Sequence, residues 1–370
     1  MIHPARTMDF HELYNGLQAA KAEKLVTEWI GDDGLRLFCY SRGCVYERQW
    51  NDLTLMSRGL ILDVDRQEIV ATPFPKFFNV GEGTQTIPDM PFETFEKVDG
   101  SLIILFWHQG KWKTATKGSL ASSQAQWAAA RIGDRTRGCL VPGDTYLLEA
   151  VYPENRIVVH YPSAELVLLG AYRYDGHELN YHQLKDVGLS AGWRVAKRHS
   201  YASVSELLAL SSTLPVNEEG FVLRFQNGLR LKIKGEEYRR IHALISRCTP
   251  LAMWEAMQAG DDLQALRKDL PEEFWTDFDS IISILEKQIF DINQEVMRES
   301  KRLSFSTDKE VGLQLKSLSP ITQKFIFPYR KQGNLTEGRA RIALFREIRP
   351  TANQLEGYTP SYAMNRVMEE

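Results

Sequence analysis

The apolar residues change period part-way along the chain, and that change constrains the fold more than any other feature. Over the first 240 or so residues, apolar positions come in short runs with the alternation or length of strands. Leu35–Tyr40, Gly59–Val64, Ile69–Thr72, Ser101–Trp107, Lys111–Thr116, Tyr146–Val151, Glu165–Tyr172, Gly220–Phe225 and Leu229–Ile233 all read this way. Gln109-Gly110 and Asn227-Gly228 separate consecutive runs and predict hairpin turns. Two helices are expected among the strands, an amphipathic one over 8–29 and one rich in Ala and Gln over 119–137. Farther on, Phe274, Phe278, Ile281, Leu285, Ile289, Ile292 and Val296 recur at steps of three and four. That spacing predicts one long helix, with Pro271 in its first turn. Residues 251–268, 308–318, 320–330 and 336–348 also read as helical. The expected fold class is α+β: antiparallel sheets with flanking helices over 1–243, then an all-α domain over 244–370.

Composition narrows the class. The 370 residues are 43% hydrophobic and 25% charged, which excludes a disordered or collagen-like chain. Cys39, Cys44, Cys139 and Cys248 show no C-x-x-C spacing, so a structural zinc site is not expected. The first residues carry no apolar run of signal length, and no stretch approaches 18 apolar residues. The expected setting is a reducing cytoplasm, with no membrane partner. Net charge is −3, with no whole-chain basic signature, but charge is segregated. Residues 259–300 hold 11 acidic and four basic residues; residues 301–350 hold 11 basic and four acidic. The basic block includes Arg330, Lys331, Arg339, Arg341, Arg346 and Arg349. It reads either as a face for nucleic-acid phosphates or as helices packed beside the acidic one.

Several catalytic patterns are missing. There is no G-x-x-x-x-G-K-[ST] loop and no G-x-S-x-G elbow. Gly81-Glu82-Gly83 lacks the third glycine of a dinucleotide fingerprint, and His177, Glu178 and His182 are spaced one residue too far for H-E-x-x-H. What remains is Lys97-Val98-Asp99-Gly100-Ser101, directly before an apolar strand. Alone it reads more readily as a lysine in a polar β-turn than as a catalytic motif. Leu229–Lys234 alternates strictly, which puts Arg230, Lys232 and Lys234 on one face as a row of cations. Glu219 lies upstream across the Asn-Gly turn, within reach of that row, and Glu149 follows the apolar Tyr146-Leu147-Leu148.

Taken in order, these elements resemble the covalent nucleotidyltransferases, and in detail the phage-type RNA ligase 1 family. The resemblance rests on Ser57-Arg58-Gly59, Lys76-Phe77-Phe78-Asn79, Lys97-x-Asp99-Gly100-Ser101, Lys117-Gly118-Ser119, Leu148-Glu149 with Asn155-Arg156-Ile157-Val158, Glu219-Gly220-Phe221, and Leu231-Lys232-Ile233-Lys234. It spans residues 36–240 or so, and it implies a ligase-type nucleotidyltransferase domain.

The resemblance implies an ATP-dependent RNA ligase. Lys97 would take AMP from ATP, pass it to an RNA 5′-phosphate, and a 3′-hydroxyl would then displace it. Lys97 must be neutral to attack, so its pKa is expected to fall, with Lys232, Lys234 and a metal ion as the cause. Asp99, Glu149 and Glu219 supply carboxylates, with Glu219 the first choice for Mg²⁺ (or Mn²⁺) and Glu149 for the ribose or, alternatively, the metal. Gly100 would let the nucleotide approach the backbone closely. Arg58, Lys76 and Lys117 would bind triphosphate or RNA phosphates, with Lys117 in phase with Lys111 and Lys113 on the hairpin strand. Tyr172, Phe221 and Val222 are candidates to stack on adenine; Trp107, Trp112, Trp127 and Trp193 are assigned to packing.

The implied partners are RNA carrying 5′-phosphate and 3′-hydroxyl ends, nicked tRNA among them, and an end-healing kinase or phosphatase. A monomer is the default expectation, in the host's cytoplasm if a phage encodes the chain. The helical domain would serve RNA recognition. The rival readings are a DNA ligase or capping-type nucleotidyltransferase, and a non-catalytic RNA-binding relative. The first two usually continue into a barrel of short strands, where this chain shows helical periodicity. The third has no need of a nucleophile.

Overall fold

The computed structural model describes residues 1–360 except 32, 83–85, 156–157, 247, 271–273 and 352–353. It divides into two compact units, Met1–Arg239 and Arg240–Glu370.

The first unit carries three sheets. Strands β1 (Val26–Ile30), β2 (Leu35–Tyr40), β3 (Arg58–Asp63) and β4 (Glu68–Ala71) form an antiparallel meander. The other strands are β5 (Phe78–Asn79), β6 (Phe92–Glu96), β7 (Ser101–His108), β8 (Lys111–Ala115), β9 (Thr145–Val151), β10 (Glu165–Tyr172), β11 (Arg194–Val195), β12 (Arg198–His199), β13 (Gly220–Phe225) and β14 (Arg230–Lys234). They make a second sheet ordered β11-β10-β9-β7-β8 and a third ordered β12-β6-β13-β14-β5. All pairings are antiparallel except β10–β11 and β14–β5. One apolar layer joins the first two sheets: Leu35, Leu37 and Ile61 pack with Ile104, Phe106 and Leu147. The third sheet buries Phe221, Leu223, Leu231 and Ile233 against Val204 and Leu207 of the helix Val204–Ser211. The chain leaves the third sheet at Glu96 and enters the second at Ser101, so Lys97–Gly100 is the crossing between them.

The expected helix over 8–29 is shorter than its pattern. It runs Phe10–Ala22, capped by the Asp9 carboxylate, and is followed by β1. Lys24 takes φ 62°, and the Leu25 N–H turns back to Ala20 O. Leu13 and Leu17 of the helix and Val26 of β1 enter one core, so a helix and a strand together mimic a single apolar stripe. The helix expected over 119–137 is two, Ser123–Ala129 and Asp134–Cys139, with Gly133 between them. Gln109 and Gly110 both take positive φ in the β7–β8 turn, whereas at Asn227-Gly228 only the glycine does. Strand β6 escapes a period-two reading because Phe92 and Phe95 are three apart.

The described residues of the second unit are helical apart from an isolated bridge between Thr351 and Gln354. The long helix is Trp275–Arg302, and Pro271 lies outside the described residues. The segment 251–268 is broken at Gly260, φ 83°, into Pro250–Ala259 and Leu263–Asp269. Val296, Leu303, Val311, Phe325, Ile326 and Leu344 form its core. Part of the basic block fastens these helices. Arg330 donates to Asp308 at 2.7 Å and to the carbonyls of Leu303 and Ser306. Arg341 donates to the carbonyls of Met257 and Gln258, and Lys324 pairs with Glu347. Lys331, Arg339, Arg346 and Arg349 stay exposed.

Candidate active site

Lys97 follows the last residue of β6, and its N–H donates to Gly220 O at 2.8 Å. That bond ties the crossing to the start of β13. Gly220 takes φ +136°, and a Cβ there would stand 2.0 Å from Ile233 O, so only glycine fits. The residue before it, Glu219, is thereby turned into the site and buried. The Lys97 ammonium donates to Glu219 Oε2 at 2.6 Å, and Lys234 Nζ lies 3.0 Å from Oε1.

Electrostatics here reverse one expectation. Burial opposes charge on both partners of this pair, but attraction wins. Lys97 and Lys234 hold the Glu219 carboxyl below its ordinary pKa. Glu219, with Glu149 and Asp99 behind it, holds Lys97 above the ordinary lysine value. Lys97 is therefore charged in this state, not neutralised by neighbouring cations. Lys232 is depressed instead: burial first, then Lys76, Lys97, Lys234 and Arg58, bring its pKa down to about 7.

Asp99 is spent on structure. Its Oδ2 accepts the N–H groups of Val158 and Val159 at 3.1 and 3.0 Å, and its Oδ1 accepts the Tyr238 hydroxyl at 3.0 Å. The Asp99 N–H donates to Tyr161 Oη at 2.8 Å. Asp99 thus anchors the turn that carries Lys97. Gly100 is also close-packed, but against protein: a Cβ would meet Ala150 O and Glu149 Cγ at 2.6 Å. Its small size lets the crossing lie on β9. Glu149 is buried within β9 rather than solvated at a strand end, opposite Leu102 of β7. Asn155 braces the same region, donating to Ala150 O at 2.7 Å and accepting the Ser101 hydroxyl at 3.1 Å. Arg156 and Ile157 of that element lie outside the described residues, as does Gly83.

The expected row Arg230-Lys232-Lys234 is one face geometrically but three different environments. Arg230 is buried and pairs with Glu178, which also binds Arg224 at 2.6 Å. Lys234 shares Glu219 with Lys97. Lys232 alone of the three has no ion pair among the described residues; it stands over the Phe77 ring at 6.0 Å. The Lys76-Phe77-Phe78-Asn79 element joins it there, because β5 pairs with β14, Phe78 opposite Leu231 and Asn79 opposite Lys232. Arg58 also packs over the Phe77 ring, at 5.4 Å, with its Nη1 buried and without a hydrogen-bond partner among the described residues. Gly59, φ +97°, would place a Cβ 3.0 Å from Lys117 Cα, so the Arg58 and Lys117 segments are in contact. Lys117 lies beyond β8 and is not in phase with Lys111 and Lys113; Lys113 pairs with Asp33.

Of the adenine candidates, Tyr172 and Phe221 are core. Tyr172 packs edge-on to His3 and Phe74, and Phe221 packs against His199 and Tyr201. Val222 stands opposite Lys232 and Phe95, on the site's own face. Tyr161, Tyr238, Tyr40 and Trp50 are site residues that the linear pattern did not single out. An isolated tyrosine or tryptophan carries no periodic signal. Trp127, assigned to packing, stacks on Tyr152 at 4.0 Å.

Residues 56–238 match the model of a family described as RNA ligase. This stretch belongs to the phage-type RNA ligase family. It runs from just before Arg58 to Tyr238 and so includes every residue of the Lys97 site named above except Tyr40 and Trp50. Among relatives of this RNA ligase segment is a protein of Autographa californica nuclear polyhedrosis virus named as a bifunctional polynucleotide kinase/RNA ligase. It is 27% identical over 241 residues, 56% of this chain and 34% of that protein. An RNA ligase of Rhodothermus phage RM378 is 24% identical over 204 residues, 43% of this chain and 45% of that protein. The chain spans about a third to about half the length of the curated relatives it matches. Among solved structures, an archaeal ATP-dependent RNA ligase aligns with a TM-score of 0.49 at 13% identity, covering 76% of this chain and 83% of that one.

Proposed function

We propose that this chain is an ATP-dependent RNA ligase that joins 5′-phosphate and 3′-hydroxyl ends. The observation that carries this reading is the Lys97–Glu219–Lys234 cluster set beside Lys232, Lys76 and Arg58, cations that no carboxylate neutralises by an ion pair among the described residues. Such a site suits an amine nucleophile facing a polyphosphate. Lys97, once deprotonated, attacks the α-phosphorus; a P–N bond forms, the bond to the β-phosphate oxygen breaks, and pyrophosphate leaves. An RNA 5′-phosphate oxygen then takes the AMP and regenerates the lysine. Last, a 3′-hydroxyl attacks that phosphorus, a phosphodiester forms, and AMP departs.

Arg58, Lys76, Lys117 and Lys232 bind and orient the phosphates, and Lys232 and Lys234 offset charge gathering on oxygen. Asp99 and Gly100 fix the lysine's turn. Glu149 serves the ribose. Mg²⁺ or Mn²⁺ fits Glu219, with Glu149 as a second oxygen donor, because such ions commonly use one or two carboxylates together with substrate phosphates. When bound, the ion supplies positive charge at the phosphates.

The natural ends are those of nicked RNA, tRNA included, healed first by a kinase and phosphatase; the kinase named in the viral relative supports that pairing. The second unit recognises the RNA, and the setting is the cytoplasm. No described helix is long and apolar enough to cross a membrane. Incubation with α-labelled ATP and Mg²⁺ tests the first step: an acid-stable, amine-linked AMP adduct on Lys97 is expected, and its absence rejects the enzyme. Labelling by GTP instead of ATP would favour the capping-type reading. A ligation screen over anticodon-loop nicks, single strands and duplex nicks then identifies the substrate.

A further inference from the structure

Lys76 differs from the other lysines of the site in what surrounds it. Lys97 and Lys234 share the Glu219 carboxylate. Lys76 makes no ion pair among the described residues. Three aromatic rings face it instead: its ammonium lies 5.5 Å from Tyr40, 5.5 Å from Trp50 and 5.4 Å from Phe78. The rings brace one another edge-on, Tyr40 to Trp50 at 5.2 Å and Trp50 to Phe78 at 5.3 Å. The backbone holds the same frame. Tyr40 N–H donates to Ser57 O at 2.6 Å, and Lys76 N–H donates to Leu55 O at 2.7 Å. Leu55 belongs to the helix Asp52–Met56, whose N-cap, Asn51, directly follows Trp50.

We propose that Tyr40 and Trp50, with Phe78, form an aromatic box that keeps Lys76 charged and aimed at a phosphate, which makes Tyr40 and Trp50 positioning residues of nucleotide transfer. The inference rests on the nucleotide reading given above. Its physical basis is a comparison of two ways to keep a buried lysine charged. A carboxylate does so, but it occupies the N–H donors and repels an incoming phosphate. Ring faces attract the cation through their quadrupoles and offer no strong acceptor, so all three donors stay available. The need is real here. Burial lowers the Lys76 pKa, and Arg58 and Lys117 push it the same way; Tyr40 and Glu82 oppose them. Lys232, which Lys76 also depresses, adds to the crowding.

The test measures pyrophosphate binding to the full chain by calorimetry, across pH, for the wild type, Trp50→Leu, Tyr40→Leu and the ring-preserving Trp50→Phe. Each leucine variant is expected to weaken binding by about 2- to 30-fold. The alkaline loss of affinity should begin at lower pH in those variants, because Lys76 then deprotonates earlier. Trp50→Phe should recover most of both effects, and near-ultraviolet circular dichroism confirms that each variant is folded. Unchanged affinity and an unchanged alkaline limb in folded Trp50→Leu overturn the box as a functional device, as does a wild type that binds no pyrophosphate. A weakened Trp50→Leu in a chain that forms no lysyl-AMP supports the box and rejects the ligase reading, so the two failures are distinguishable.

Discussion

The Lys97 ammonium and the Glu219 carboxylate, 122 positions apart in the chain, meet at 2.6 Å and hold each other charged. On the proposed reading, Lys97 is held as an ammonium and must be released from its carboxylate before it can attack. Occupation of Glu219 by a divalent cation would remove that pull. Lys97→Ala is therefore expected to abolish nucleotide labelling by α-labelled ATP while RNA binding persists in a filter assay. Labelled protein from that variant would show that another residue carries the AMP. Glu219→Gln should fold yet lose most labelling at saturating Mg²⁺.

Gly100→Ala should be poorly tolerated. The added methyl meets Ala150 O and Glu149 Cγ at 2.6 Å, so β9 and the crossing must part. A loss of about 1–3 kcal/mol is expected, the range of an overpacked core, read from a urea midpoint. Labelling should fall with it, since the same shift moves Lys97 and Glu149 apart. A melt equal to wild type would show that the crossing yields easily.

Asp99→Asn keeps the shape of the side chain but gives up its charge and one acceptor. Two backbone N–H groups and a tyrosine hydroxyl now end on the carboxylate. About 1–3 kcal/mol should be lost, because a donor at the buried Val158–Val159 turn loses its partner. Denaturant melts of Asp99→Asn and Tyr238→Phe, alone and combined, should give a sum larger than the double variant's effect. Strict additivity would place the two residues in separate networks.

Lys232 predicts a pH dependence. Its folded pKa is about 7, below the ordinary lysine value of about 10.4. In that window the unfolded chain binds a proton that the folded chain does not, so the cost of burying the charge is greatest below about pH 7 and fades as pH climbs toward 10.4. Lys232→Met should accordingly stabilise the protein most at neutral and lower pH, with the gain shrinking on the alkaline side. Thermal melts of both proteins across pH check this; a gap constant with pH would contradict it.

Lys331 and Arg339 are exposed cations of the second unit, and among the described residues neither donates to a helix carbonyl as Arg330 and Arg341 do. Changing both to glutamate should weaken RNA binding and flatten its salt dependence by about two phosphate contacts, while lysine labelling stays at wild-type level. Unaltered binding would remove this face from RNA recognition.

Local pattern alone determined much of this protein. The alternation in Leu229–Lys234, the apolar run after Ser101 and the three-and-four spacing from Phe274 to Val296 each became the expected element. They do so because side-chain direction follows backbone period, a property of consecutive residues. The order of the motifs likewise identified the family. Tertiary structure decided what the periodic pattern leaves open. It turned Arg230 toward Glu178 and left Lys232 without an ion pair among the described residues, though both sit on one strand face. It spent Asp99 on backbone donors and gathered Tyr40, Trp50 and Phe78 around Lys76 from three segments. It also set the charge state of Lys97 opposite to the expectation drawn from nearby lysines. Burial and through-space charge fix those outcomes, and both depend on residues that only the folded chain brings together.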